Sequence, residues 1–213
     1  MTLNAYSPAE ERINIGSHAL GLVLSIVALL LLVLETLPYK NPLYTLSFAV
    51  FGISLISLYL ASTLYHSAKS QRARSRLRIV DHATIYILIA GTYTPFTLIT
   101  LSGTTGWTVF AVSWSLAVTG VILKLFFTGR FERLSTLMYV FMGWIVIFVV
   151  KPMIANLPPE GLAWLVAGGL SYTFGAVIYS IRTIAFNHAI FHLFVLGGSF
   201  CHFMSVYFYV LPK

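Results

Sequence analysis

The sequence predicts an all-α integral membrane protein, a seven-transmembrane-helix bundle with its N-terminus cytoplasmic and its C-terminus outside. Three observations predict it. Of 213 residues, 58% are hydrophobic and only 9% charged, against about 25% charged in soluble domains, and the mean hydropathy is +0.88. The apolar residues fall into seven runs, each near the roughly 20 residues that a helix needs to cross a bilayer. Lys and Arg gather at the ends of those runs, mostly on one side.

The first dozen residues are polar, with Glu10, Glu11 and Arg12, and show no separate signal peptide. The run at 15–37 therefore reads as an uncleaved insertion signal. The turn Pro38-Tyr39-Lys40-Asn41-Pro42 separates it from the second run, 43–67. A basic stretch, 69–78, reads as a loop before the third run, 79–101, where Pro95 in Gly91-Thr92-Tyr93-Thr94-Pro95-Phe96 is expected to kink the helix. The remaining runs are 107–127, 134–150, 162–181 and 188–211, separated at 128–133, 151–161 and 182–187. Such short separators imply antiparallel neighbours in one bundle, a single domain over 1–213. A β-barrel would need alternating segments of about ten residues, and these runs are too long and too uniformly apolar. Gly168-Gly169 and Gly197-Gly198 allow close helix approach. Trp107, Tyr207 and Tyr209 read as interfacial aromatics. The lone Cys201 can form no internal disulfide.

Orientation follows from Lys and Arg. Arg12, Lys69, Arg72, Arg74, Arg76, Arg78, Lys124, Arg130, Arg133 and Arg182 fall on the N-terminal side, and Lys40, Lys151 and Lys213 on the other. The bias places the N-terminus in the cytoplasm. The net charge of +7 belongs to this pattern. It implies contact between the basic stretch and anionic lipid headgroups, and no nucleic-acid partner.

The candidate chemistry lies in the histidines. Of six, His18, His66, His82, His188 and His192 fall close to the predicted cytoplasmic boundary. His188 and His192 stand four apart, on one face of a helix, which lets one helix give two imidazoles to one metal ion. His66 ends the second helix at the same depth, and Asp81 opens the third. The reading is a zinc (Zn2+) site held by His66, His188 and His192, with a water in the fourth position, an arrangement typical of catalytic sites. Asp81 would accept that water's proton or hold the water by hydrogen bond, and Ser62, one turn before His66, would bond the water or a substrate oxygen. Each group also has a plain role: a capping or interfacial histidine, a carboxylate at a helix start, a small packing serine. Their shared depth favours the metal. His82 points about 100° from Asp81 and reads as structural. His202 lies about 15 Å deeper, beyond reach of the ion, and would hydrogen-bond within the bundle or line a cavity.

Seven helices, Ser62-x-x-x-His66, Asp81 and His188-x-x-x-His192 resemble the progestin and adipoQ receptor family, as does Glu11-x-x-Asn14-x-x-Ser17-His18. The short chain and the Gly91–Phe96 motif are most similar to its bacterial haemolysin III-like branch. The resemblance implies a seven-helix bundle with zinc near the cytoplasmic leaflet, three histidines on the ion, and the serine and aspartate about its water. Carried over, those roles fall on His66, His188, His192, Ser62 and Asp81. The motifs are also similar to those of alkaline ceramidases, which implies hydrolysis of a lipid amide. Eukaryotic members are hormone receptors, and the bacterial branch is associated with membrane fluidity homeostasis and, by its name, haemolysis.

Two readings therefore stand: a zinc-dependent hydrolase of a membrane lipid amide or ester, and a non-enzymatic zinc-stabilised sensor or receptor of lipid state. A secreted cytolysin needs a soluble form that so apolar a chain does not offer. A transporter wants polar groups at the midplane of several helices, where this sequence has mostly Leu, Val, Ile, Phe, Ser and Thr.

Overall fold

Caps, rather than hydropathy, decide where the first three long helices begin. The computed structural model describes residues 6–127 and 132–211, with the backbone alone at 132 and 133. Helix α1 (Pro8–Thr36) opens where the Ser7 hydroxyl accepts the Glu10 N–H at 3.2 Å and Pro8 takes a first-turn position that needs no donor. Its polar start is thus helical, ahead of the expected boundary at residue 15. A left-handed Lys40 closes the turn, and the Asn41 side chain caps α2 (Pro42–Ser67). Ser70 caps α3 (Gln71–Pro95), accepting from the Ala73 N–H at 3.2 Å. This corrects the expected loop: most of the basic stretch at 69–78 is helix. Arginines are good helix formers, and apolarity is not required of turns outside the hydrocarbon. Asp81 consequently sits inside α3 rather than at its start, so a role at the helix N-terminus does not apply to it.

Pro95 ends α3, but the outcome differs from a simple kink. The backbone continues as a six-residue π-helix, Phe96–Leu101, the wider register accommodating the donor that proline lacks. After α4 (Gly103–Phe127), the fifth span is also interrupted. It consists of α5 (Glu132–Gly143), a 3₁₀ segment Ile145–Val149, and α6 (Val150–Asn156). Tyr93 splints the break, its hydroxyl donating to the Gly143 carbonyl at 2.9 Å and accepting from the Val146 N–H at 3.0 Å. The span therefore reaches Asn156, past the expected 150, and Lys151 lies in a helix instead of a loop. Two long helices, α7 (Pro159–Ser180) and α8 (Asn187–Tyr209), complete the chain.

Seven stretches are long and apolar enough to span a membrane: Pro8–Tyr39, Pro42–Ser67, Gln71–Leu101, Gly103–Phe127, Leu134–Asn156, Pro159–Ser180 and Asn187–Tyr209. Large apolar side chains such as Leu20, Phe126 and Phe148 point outward, which suits a lipid solvent. The protein is a multi-pass membrane protein, with every regular element among the described residues helical.

Consecutive helices pack as neighbours from α1 to α4, α7 packs on α8, and α8 returns to α1. The core gathers Phe48, Phe51, Leu55 and Tyr59 of α2 with Val195 and Val206 of α8. Gly161, Gly168 and Gly175 are the buried positions of α7. At Gly168 an added Cβ would stand 2.2 Å from the His202 ring, so this approach requires glycine. Gly198 is the tight member of the other expected pair, against the Tyr172 ring at 2.8 Å. Packing α8 onto both α7 and α1 brings the start of α8 to the end of the bundle where α1 and α3 begin and α2 finishes. Arg12, Lys69, Arg72, Arg76 and Arg182 lie at that end. Of the other residues used for orientation, Arg130, Lys213 and the side chain of Arg133 lie outside the described residues, as does most of the 128–133 separator.

Candidate metal centre

His66 comes from the last turn of α2 and His188 and His192 from the first two turns of α8. Because α2 ends where α8 begins, the three meet. All are buried, and each offers a ring nitrogen within 4.8 Å of the others. The Nε2 atoms of His66 and His188 stand 3.1 Å apart. Two nitrogens bound at about 2.0–2.1 Å to a tetrahedral ion would stand about 3.3 Å apart, so this pair is already at a chelating separation.

The outer edge of each ring has its own partner. His66 Nδ1 lies 2.7 Å from Glu11 Oε2, His188 Nδ1 lies 3.2 Å from the Tyr6 hydroxyl, and His192 Nδ1 lies 3.5 Å from Ser17 Oγ. Ser17 donates its own proton to the Asn14 carbonyl at 3.2 Å, which leaves its oxygen to accept from His192. Burial pushes the Tyr6 hydroxyl well above its ordinary pKa, so it stays protonated. A neutral imidazole carries one proton. In the tautomer that directs each Nδ1–H at Glu11, Tyr6 and Ser17, the Nε2 lone pairs would be left for a cation. The Glu11 carboxylate is also paired with Arg74 of α3. Three buried neutral nitrogen donors without a carboxylate among them fit a transition-metal or zinc ion rather than calcium or magnesium, which take oxygen ligands. The triad can hold a metal.

Ser62 and Asp81 are buried beside it and share its cavity. The Ser62 hydroxyl is near enough to the Asp81 carboxyl to interact electrostatically, but has no partner at hydrogen-bond geometry. Asp81 is not among the converging donors. Four of the five expected site residues, Ser62, Asp81, His188 and His192, therefore line one cavity, and His66 converges on the two α8 histidines without lining it. His82 lines the cavity apart from the triad. His202 lines it at greater depth and donates from Nε2 to the Leu165 carbonyl at 3.2 Å.

That cavity has a volume of about 290 Å³ and runs from His18, Ser62 and Asp81, past Leu88 and Phe96, to Leu101 and Leu162. Its walls are overwhelmingly apolar beyond the triad end.

Sequence reasoning left several groups without a role. His18 stacks on His192, ring centroids 3.5 Å apart and planes 12° from parallel, and neither of its ring nitrogens has a partner. Lys124, counted from the sequence only for orientation, is 5% exposed and lines the cavity. Tyr6, Glu11 and Ser17 reach the triad from α1 and the residues before it. The signal for them was a polar stripe on an otherwise apolar helix: Asn14, His18, Gly21 and Ser25 recur every three or four residues and all are buried.

Residues 6–203 match the family described as Haemolysin-III related. The chain belongs to the haemolysin III-related family. It is 47% identical over 203 residues to Hemolysin-3 of Bacillus cereus, covering 95% of this chain and 93% of that one. Over 200 residues it is 46% identical to the Hemolysin-3 homolog of Bacillus subtilis (strain 168), covering 94% of each. The human Monocyte to macrophage differentiation factor is 29% identical over 169 residues, 76% of this chain and 69% of that protein. The resemblance to the haemolysin III-like branch of the progestin and adipoQ receptors stands. The matched residues contain the whole triad together with Tyr6, Glu11 and Ser17.

Proposed function

We propose that this haemolysin III-related protein is a zinc-dependent hydrolase of a lipid amide or ester, acting in membrane lipid and fluidity homeostasis. One observation carries the reading: the buried histidine triad, with Ser62 and Asp81 beside it, meets a long apolar cavity inside the bundle through His188 and His192. A zinc ion on the triad would acidify a water and polarise a carbonyl. The cavity wall would take the acyl chain and exclude bulk water, holding the carbonyl at the triad end. Asp81 would receive the proton of the attacking water on its carboxylate and return it to the leaving group. The unpartnered Ser62 hydroxyl would donate to the substrate oxygen. Released fatty acid is the product to measure. Purified protein carrying one zinc per chain should liberate it from at least one member of a lipid amide and ester panel, and chelation followed by zinc return should abolish and then restore release. No turnover across the panel at full zinc occupancy would sink the hydrolase.

That outcome would leave the second reading, a non-enzymatic sensor of lipid state, which a different feature favours. The triad joins α2 to α8, and its outer partners add α1 and α3. A metal there would staple four helices whose packing responds to what fills the cavity.

We also propose that the triad end faces the cytoplasm, because Arg12, Lys69, Arg72, Arg76 and Arg182 gather there. The exposed Lys69, Arg72 and Arg76 would then touch anionic headgroups. In intact cells an impermeant thiol probe should miss a cysteine placed at Arg72 and label one at Lys40. Labelling in the reverse pattern would overturn the orientation.

A further inference from the structure

We infer that residues 6–17 form a clamp that sets how tightly the metal is held. This rests on the reading of the triad as a metal site and concerns side chains that would not touch the ion. All three imidazoles meet their outer partner from one short segment: Tyr6 on His188, Glu11 on His66 and Ser17 on His192. Among the described residues that segment supplies no donor to the triad itself. Its Tyr6 ring also covers the site, with centroids 4.8 Å from the His188 ring and 5.8 Å from the His66 ring.

The physical consequence is collective. A metal-bound imidazole is held in tautomer and in ring rotation by the acceptor at its other nitrogen, which also raises its basicity. Here the carboxylate acts on His66 and the two hydroxyl oxygens act on His188 and His192. Residues on a single helix and its lead-in move together, so displacing the segment releases three rings at once. The start of α1 is held independently by Ser7 capping and by the Glu11–Arg74 ion pair. Metal occupancy and docking of the segment are therefore linked, and linkage works in both directions.

The test uses full-length protein in nanodiscs, comparing wild type with Glu11→Gln, Tyr6→Phe, Ser17→Ala and Arg74→Gln. Zinc affinity is read by chelator competition, site geometry by the visible spectrum of the cobalt(II) form, and segment docking by hydrogen exchange of residues 6–17. Glu11→Gln keeps the shape and loses the charge. It should weaken zinc about 10–100-fold and shift the cobalt spectrum, with smaller losses for Tyr6→Phe and Ser17→Ala. Arg74→Gln, which leaves Glu11 on His66, should stay within a few-fold of wild type. Zinc should slow exchange in the segment of the wild type and do so less in Glu11→Gln. Variants that match wild type in affinity and spectrum overturn the clamp alone. So do variants whose metal-free melting temperature falls as much as their zinc-loaded one, because the residues then serve only the fold. A wild type that takes up no zinc overturns the metal site and the clamp with it.

Discussion

Replacing His192 with alanine is expected to empty the metal site and abolish lipid turnover while leaving the helices in place. The ring is buried between His18, stacked on one face, and His188, 4.5 Å away by centroid. With about 10–16 kcal/mol for zinc held by a full ligand set, one imidazole accounts for about 3–4 kcal/mol. Its loss lowers affinity by about 10²–10³-fold. Metal analysis after gel filtration should find stoichiometric zinc in the wild type and little in the variant. Far-ultraviolet circular dichroism should be unchanged, since α8 is anchored by its glycine-lined contact with α7. Full zinc occupancy in a folded His192→Ala variant would remove this residue from the ligand set.

Asp81→Asn should behave in the opposite way, keeping zinc and losing turnover. Asparagine matches the size of the carboxylate but cannot accept the proton. Asp81 is not among the converging donors, so affinity should change little. A positioned general base contributes about 10²–10⁴-fold, and fatty acid release should fall within that range. Unchanged release would mean that Asp81 serves another purpose, such as partnering Ser62. Loss of zinc would make it a ligand. Together the two variants separate holding the metal from using it, a distinction that neither alone provides.

Much of this was legible in the residues. Apolar runs of spanning length and the positions of His66, His188 and His192 follow from periodicity and loop lengths, because an antiparallel bundle with short turns has few ways to place its ends. The helix starts were less legible. Arg72, Arg74 and Arg76 read as loop because hydropathy marks where hydrocarbon begins, whereas Ser70 marks where helical hydrogen bonding begins, and the two need not coincide. The same gap hid Glu11. It precedes the apolar run, yet the cap at Ser7 starts α1 early enough to turn that carboxylate onto His66. The inward face of Lys124 was illegible for a related reason: charge count locates a residue along the membrane normal and says nothing about which face of its helix points inward.

By itself the sequence determined the class of protein, its seven crossings and the depth shared by the three histidines, since these depend on composition and spacing along one chain. Only the tertiary structure decided which nitrogen of each ring meets an outer partner, that α1 and the residues just before it supply all three partners, and that His188 and His192 line an apolar cavity. Those outcomes depend on how helices rotate and pack against one another, and rotation is set by contacts between segments distant in the chain.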